Sequence, residues 1–277
     1  MKSLTLLTTP IGNLSDITDR AREALKASEH IICEDTRVCH SLLEHLGISK
    51  EGKYILSYGN HSNEKELDHI FRKMAGKDVY LVSDAGSPVI SDPAYPLVKR
   101  ALSEGVELQS IPGVSAVTLA LELSGLPAHP FVFHGFLERA AGKQKEFFLE
   151  TQILSGTHIF FESPHRIVET LDILTQQLPQ AMISVGRELT KKFEQVLRFK
   201  ASEWNEKKKL LREQGEFVVV YYLPKELQAL GSLPKIKELA SEVLQKPGTK
   251  NLAKLIAEIL GRETKEIYQE LSQNTKN

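Results

Sequence analysis

Between residues 4 and 111 five short apolar runs alternate with stretches of helical pattern, and no other feature of the chain narrows its possible folds so far. Strands are predicted at 4–8, 30–33, 54–57, 78–82 and 107–111, with helices at 16–28, 36–46, 63–75 and 94–104 between them. Strands joined through helices of this length run parallel in one sheet, because a parallel pair needs a crossover of about a dozen residues or more. After Pro112-Gly113 and a helix at 116–123 the rhythm changes. Strands at 131–134, 157–161, 182–187, 195–199 and 216–223 are interrupted only by helices at 143–151, 166–177 and 202–214, a pattern that predicts a mixed sheet with antiparallel pairs. The fold class is therefore α/β, in two domains at 1–112 and 113–223. A linker at 224–233 leads to a small helical domain at 234–277, with helices at 235–244, 251–260 and 264–271. Gly261 stands where a C-cap is wanted and Thr264 where an N-cap is wanted, and Ile256, Ile259, Leu260, Ile267 and Leu271 recur at helical spacing. That unit reads as helix-turn-helix-like.

Composition excludes several classes. With 277 residues, 41% hydrophobic and 26% charged, the chain has the make-up of an ordinary globular protein. Its longest apolar run, residues 217–223, falls far short of the roughly 20 residues of a membrane span. The apolar start at 4–7 is cut off by Pro10, Gly12 and Asn13 before it could act as a signal peptide, so a cytoplasmic location is expected. Cys33 and Cys39 cannot build a disulfide framework, and their spacing to His40 fits no common zinc pattern, so no metal is expected. A net charge of −1 rules out a uniformly basic coat but leaves room for a local basic patch.

The residues that could carry chemistry cluster where predicted strands end. Ser83-Asp-Ala-Gly-Ser-Pro-Val-Ile-Ser-Asp92 follows the strand at 78–82 and brackets a glycine-proline turn with carboxylates. Open α/β sheets bind ligands at this carboxyl edge, through backbone groups that small residues leave accessible. The loop Thr8-Thr-Pro-Ile-Gly-Asn-Leu-Ser-Asp-Ile-Thr18 leaves the first strand but carries neither dinucleotide nor Walker glycine spacing, and Asp16 or Thr18 in it reads as a helix cap. Glu34, Asp35 and Arg37 form a local ion-pair group around a capping Thr36, expected to line the cleft. Ile111-Pro-Gly-Val-Ser-Ala116 and Phe160-Phe-Glu-Ser-Pro-His-Arg-Ile167 each join a strand to a helix through a proline turn. In the second, His165 and Arg166 sit at a helix start, where the dipole disfavours cations, a local conflict that points to function. Arg187, Glu188, Lys191 and Lys192 follow the apolar stretch 182–185, and Gly215 opens the last strand.

Six of these segments in order, Thr9-Pro-Ile-Gly-Asn-Leu-x-Asp-Ile-Thr18, Glu34-Asp-Thr-Arg37, Ser83-Asp-Ala-Gly-x-Pro-x-Ile-Ser-Asp-Pro93, Ile111-Pro-Gly-x-Ser-Ala116, Phe161-Glu-Ser-Pro-His-Arg166 and Arg187-Glu-Leu-Thr-Lys191, resemble the ribosomal-RNA-methylating branch of the tetrapyrrole methylase superfamily, over essentially residues 4–223. The resemblance implies a class III S-adenosylmethionine methyltransferase, a homodimer of two α/β domains with the cofactor in the cleft between them. It implies methylation of the ribose 2′-oxygen of a cytidine, expected to be cytidine 1402, in the decoding centre of 16S rRNA in the small ribosomal subunit. By the same resemblance Pro10, Ile11 and Gly12 border the methyl donor, Asp84, Ser87, Ser115 and Ala116 contact the cofactor, and Phe161, Leu189, Gly215 and Glu216 surround its adenosine. A ribose hydroxyl is a weak acid, so help with its proton is expected. Glu188 is the candidate base, with Arg166 and Lys191 orienting RNA phosphate; His165 is the rival, since imidazole exchanges protons near neutrality. The C-terminal helices serve packing or RNA contact. A small acceptor such as a tetrapyrrole, or a non-catalytic ribosome-binding role, is the alternative. Ser87, Ala94 and Glu138 depart from the family pattern, where threonine, glycine and proline are more frequent; Glu138 puts the RNA contacts of 135–145 in doubt.

Overall fold

A computed structural model describes residues 1–277 apart from 60–62, 92–93, 153, 155, 225–232, 246–247, 261 and 275–277. Asp92 and Pro93 of the acidic block, most of the linker and the C-cap Gly261 therefore lie outside the described residues.

The first sheet is wholly parallel, as helix-length crossovers require. Strands β1 (Ser3–Leu7), β2 (His30–Cys33), β3 (Tyr54–Ser57), β4 (Asp78–Val82) and β5 (Glu107–Ile111) lie in the order β3-β2-β4-β1-β5. Helices α1 (Asp19–Ala27), α2 (Thr36–His45), α3 (Glu64–Lys73) and α4 (Tyr95–Ser103) make the crossovers. Leu4, Ile32 and Leu81 pack under α3 and α4, while Leu7, Ile31 and Val82 pack under α1 and α2, so the central strands are buried on both faces. The first helix begins later than its pattern predicts. A separate turn at Leu14–Asp16 precedes it, and Thr18 caps it by accepting from Ala21 N–H at 3.1 Å. Asp35, not Thr36, caps α2.

The second sheet has the order β6-β7-β10-β8-β9, from β6 (Phe131–Phe136), β7 (Thr157–Glu162), β8 (Met182–Arg187), β9 (Gln195–Lys200) and β10 (Phe217–Tyr222). Only β6 and β7 pair in parallel; every other pair is antiparallel. Helix α5 (Ala116–Ser124) covers one face through Val117, Ala120 and Leu121 against Ile159, Val218 and Val220. On the other face α6 (Ala141–Thr151) and α7 (Ile167–Gln177) enclose Phe148, Phe160, Leu171, Val219 and Tyr221. His158 is buried there, bonded to His134 at 2.9 Å and stacked on Tyr221.

The single helix predicted at 202–214 is broken. Only α8 (Trp204–Lys207) is α-helical, between two 3-10 turns. Trp204 Nε1 and Lys208 Nζ both reach Asp172 on α7, at 2.6 and 2.8 Å. One turn spans that i,i+4 pair, and three consecutive lysines at 207–209 give no reason to continue. Helices α9 (Leu233–Gln245), α10 (Thr249–Leu260) and α11 (Thr264–Asn274) form the C-terminal unit, where α10 packs on both neighbours. Its small core is Ala253, Ala257 and Ile267, flanked by Ile256 and Leu271, whereas Leu260 is exposed. Among the described residues no helix is long and apolar enough to cross a membrane.

Candidate active site

The loops after β1 and β4 are locked to each other at the carboxyl edge of the parallel sheet. Thr9 N–H donates to Gly86 O at 2.9 Å and Gly86 N–H returns to Thr9 O at 3.2 Å, while Ser83 Oγ donates to the same Gly86 carbonyl at 2.9 Å. Pro10, Ile11 and Gly12 project from this ladder, with Ile11 nearly buried against Gly86. Beside them Ser115 stands at the N-cap of α5, yet its side chain accepts no capping bond, so the first amides of that helix have no acceptor from the cap. The loop holding Ser87 runs through Val89 at φ 91 and Ser91 at φ 60. A β-branched residue there is strained by roughly 1–3 kcal/mol, and such strain gathers at functional loops.

Facing this edge is the loop after β8. Glu188 at φ 50 and Thr190 at φ 66 hold it in a left-handed course, and Glu188 N–H donates to Glu216 O at 2.9 Å. Lys191 lays its stem across Gly12: a Cβ added at Gly12 would stand 2.3 Å from Lys191 Cγ. Its ammonium bridges Glu188 Oε1 at 2.9 Å and Glu216 Oε2 at 3.0 Å. Glu188 Oε1 also accepts Glu216 N–H at 3.0 Å, and its carboxyl group presses on Gly215, where a Cβ would lie 2.5 Å from it. Lys191, Glu188, Gly215 and Glu216 thus form one clasp closed over the loop after β1 at Gly12.

This clasp changes the roles expected for its members. Burial opposes the charged form of Glu188, but the Lys191 ammonium and the Glu216 amide outweigh it and hold the carboxyl below its ordinary value. A carboxylate so stabilised is a weakened base. For Lys191, burial is likewise outweighed by the two carboxylates, and its pKa is raised. The stabilisation from Glu188 is present above the ordinary carboxylate pKa and lost as pH falls through its depressed folded value; that from Lys191 is lost only as pH rises through its raised one. Comparing Glu188→Gln with the parent chain by urea unfolding should give a stability difference that is constant from about pH 5 to 9 and shrinks in acid.

Arg166 is also committed. Its guanidinium pairs with Glu162 at 2.6 Å and donates to Leu137 O at 3.3 Å. Glu162 is buried and further accepts Thr170 Oγ1 at 2.8 Å and Ser163 N–H at 2.7 Å. The cation at this helix start is offset by a buried carboxylate, which removes the conflict seen in the sequence and ties Arg166 to the protein interior. Arg187 belongs to no surface charge run: it is buried, donating to Gln214 O at 2.6 Å and Phe193 O at 3.0 Å. Leu189 is also core, its side chain packed against Gly186 and Val218, so only its backbone can meet a ligand. Phe161 stands edge-to-face with Phe133 at 4.9 Å and with the exposed Phe136 at 5.6 Å. His165 is exposed at the start of α7.

A cavity of about 620 Å³ opens on the other side of the donor loop. Thr9, Pro10, Gly12 and Leu14 form one wall and Asp84 another. The outward face of α2 supplies Arg37, Val38, Ser41, Leu42 and His45, with Asp35 at its start. Asp35 and Arg37 were expected at the cleft; the rest of this face was not, although Arg37, Ser41 and His45 recur at i,i+4,i+8. The two acids differ. Arg37 bonds draw Asp35 down to about 2, while burial above all raises Asp84, whose Oδ1 accepts Asp35 N–H at 3.1 Å.

The chain's likenesses agree with this layout. The family model of Tetrapyrrole (Corrin/Porphyrin) Methylases matches residues 3–205. A ribosomal RNA small subunit methyltransferase I of Halalkalibacterium halodurans is 40% identical over 219 residues, covering 79% of this chain and 75% of that protein. Among solved structures, diphthine synthase superposes with a TM-score of 0.62 at 16% identity, covering 82% of this chain and 99% of the other. Uroporphyrin-III C-methyl transferase from Thermus thermophilus, complexed with S-adenyl homocysteine, superposes with a TM-score of 0.53 at 18% identity, covering 79% and 97%. A match over residues 3–205 takes in the loop after β1 and the Glu188–Lys191 side of the clasp, and on it the chain belongs to the tetrapyrrole methylase family.

Proposed function

We propose that the chain is an S-adenosylmethionine-dependent methyltransferase of small-subunit ribosomal RNA, acting on the ribose 2′-oxygen of a cytidine in the decoding centre. The observation that carries this reading is the meeting of Gly12 with the Glu188–Lys191–Glu216 clasp, which sets a small-residue donor loop against a closed, charged wall of the second domain. The residues fit the cofactor. Pro10, Gly12 and Ser115 leave backbone accessible, the first amides of α5 offer donors to a carboxylate, and Thr190 Oγ1 is buried with no partner among the described residues. Pro10, Ile11, Gly12, Ser87, Ser115, Ala116, Phe161, the backbone of Leu189, Gly215 and Glu216 would hold it.

S-adenosylmethionine supplies a methyl group already activated on a sulfonium, so the protein's task is to align an acceptor oxygen and manage one proton. The clasp keeps Lys191 over the donor loop. His165, exposed before α7, is the group that takes the proton, since the rival Glu188 is held by Lys191. A homodimer is part of this reading.

Tritium transfer from labelled S-adenosylmethionine to small ribosomal subunits isolated without this protein, followed by digestion, tests the proposal. Label on a single 2′-O-methylcytidine is the expected result. Cofactor binding without transfer would redirect the search to a small acceptor, and absence of binding would end the enzyme reading.

A further inference from the structure

The cavity beside α2 draws its lining from the first domain alone, yet shares Pro10 and Gly12 with the cleft assigned to the donor. A group seated in it lies one loop away from that cleft, which is where an acceptor belongs. Its chemistry is that of a nucleobase site. Pro10, Leu14, Val38 and Leu42 give apolar surface, and Val38 is 39% exposed at the opening. Asp84 stands exposed on the wall, its Oδ1 taken by Asp35 N–H and its Oδ2 accepting no hydrogen bond from a described residue. Arg37, with a side chain 89% exposed, stands outside at the mouth, held by Asp35. A volume of about 620 Å³ lies within the usual range for ligand sites of about 300–1,000 Å³.

We propose that this cavity takes the base of the acceptor nucleotide, unstacked from its RNA, and that Asp84 reads the exocyclic amino group of cytosine while Arg37 meets the adjoining phosphate. This rests on the RNA-methylating reading above and adds to it the residue that selects the base. A carboxylate accepts from the N4 amino group of cytosine and has nothing to offer the O4 of uracil. Apolar surface supports a base that has left its stack, and an exposed guanidinium is the usual partner of a phosphate. Asp84 is thereby a specificity residue on the acceptor side, not the cofactor contact that the family resemblance implied.

The test compares transfer to small subunits carrying cytidine or uridine at the target position, with cofactor affinity followed by calorimetry. The parent enzyme should prefer cytidine by about tenfold or more. Asp84→Asn, whose amide can both accept from N4 and donate to O4, should bring the ratio to within about twofold at unchanged cofactor affinity. Undiminished preference in this variant, or loss of cofactor binding, overturns the inference. Val38→Trp, which fills the mouth, is a second reading: transfer should be lost with cofactor binding kept, and unchanged transfer also overturns it. If the parent enzyme methylates neither subunit, the underlying RNA reading falls and this inference with it.

Discussion

Arg166→Ala is expected to lower the stability of the chain by about 3–5 kcal/mol, measured as a shift in urea unfolding. The loss comes from what is left behind. Glu162 has no exposed side-chain surface, and without the guanidinium 2.6 Å away it keeps, among the described residues, only Thr170 Oγ1 and Ser163 N–H as partners. Two neutral donors do not compensate a buried carboxylate, whereas replacing both partners with apolar groups of similar volume can be nearly neutral. The double variant Glu162→Leu/Arg166→Met should therefore be much more stable than Arg166→Ala alone. Cofactor binding and transfer are expected to fall together in Arg166→Ala, in step with the folded fraction. Full stability with selective loss of transfer would return Arg166 to the RNA surface.

The sequence displayed the parallel sheet because its signals are local. Strands β2, β3, β4 and β5 match the predicted bounds, each a short run closed by turn or capping residues, apolar in β2 and β4 and largely polar in β5. The start of α1 moved three residues, from 16 to 19, where Thr18 supplied the cap, whereas α2 starts at Thr36 as predicted, capped by Asp35. The helix predicted at 202–214 failed because Asp172, about 30 residues earlier, anchors Trp204 and Lys208, and no local pattern carries that contact. The site divides in the same way. Loops rich in glycine, proline and serine at strand ends were legible as ligand-binding edges. Pairings were not: Lys191 with Glu216 joins residues 25 apart, and Arg166 with Glu162 links a helix start to a strand end. Beyond Arg37 the face of α2 was missed because Ser41 and His45 look in sequence like any solvated helix surface.

Gly12→Ala is expected to slow methyl transfer by about 100-fold, the scale on which a misplacement of about 1 Å acts on a reaction that depends on alignment. The added Cβ would lie 2.3 Å from Lys191 Cγ and 2.7 Å from Cε, along the stem and not at a free end. That stem has little room to give, since its ammonium is tied to Glu188 and Glu216 and Glu188 is wedged against Gly215. Either the donor loop retreats into the ladder formed by Thr9 and Gly86, or Lys191 leaves its two carboxylates and the clasp opens. Lys191→Ala separates these paths. It removes the obstructing stem together with the clasp, so adding Gly12→Ala to it should cost little more, and the two losses should be far from multiplicative. Single-turnover rates of the two single variants and the double variant, with cofactor affinity measured alongside, give the coupling directly. If the losses multiply, the glycine and the lysine act separately, and contact between the domains at Gly12 is not what aligns the donor.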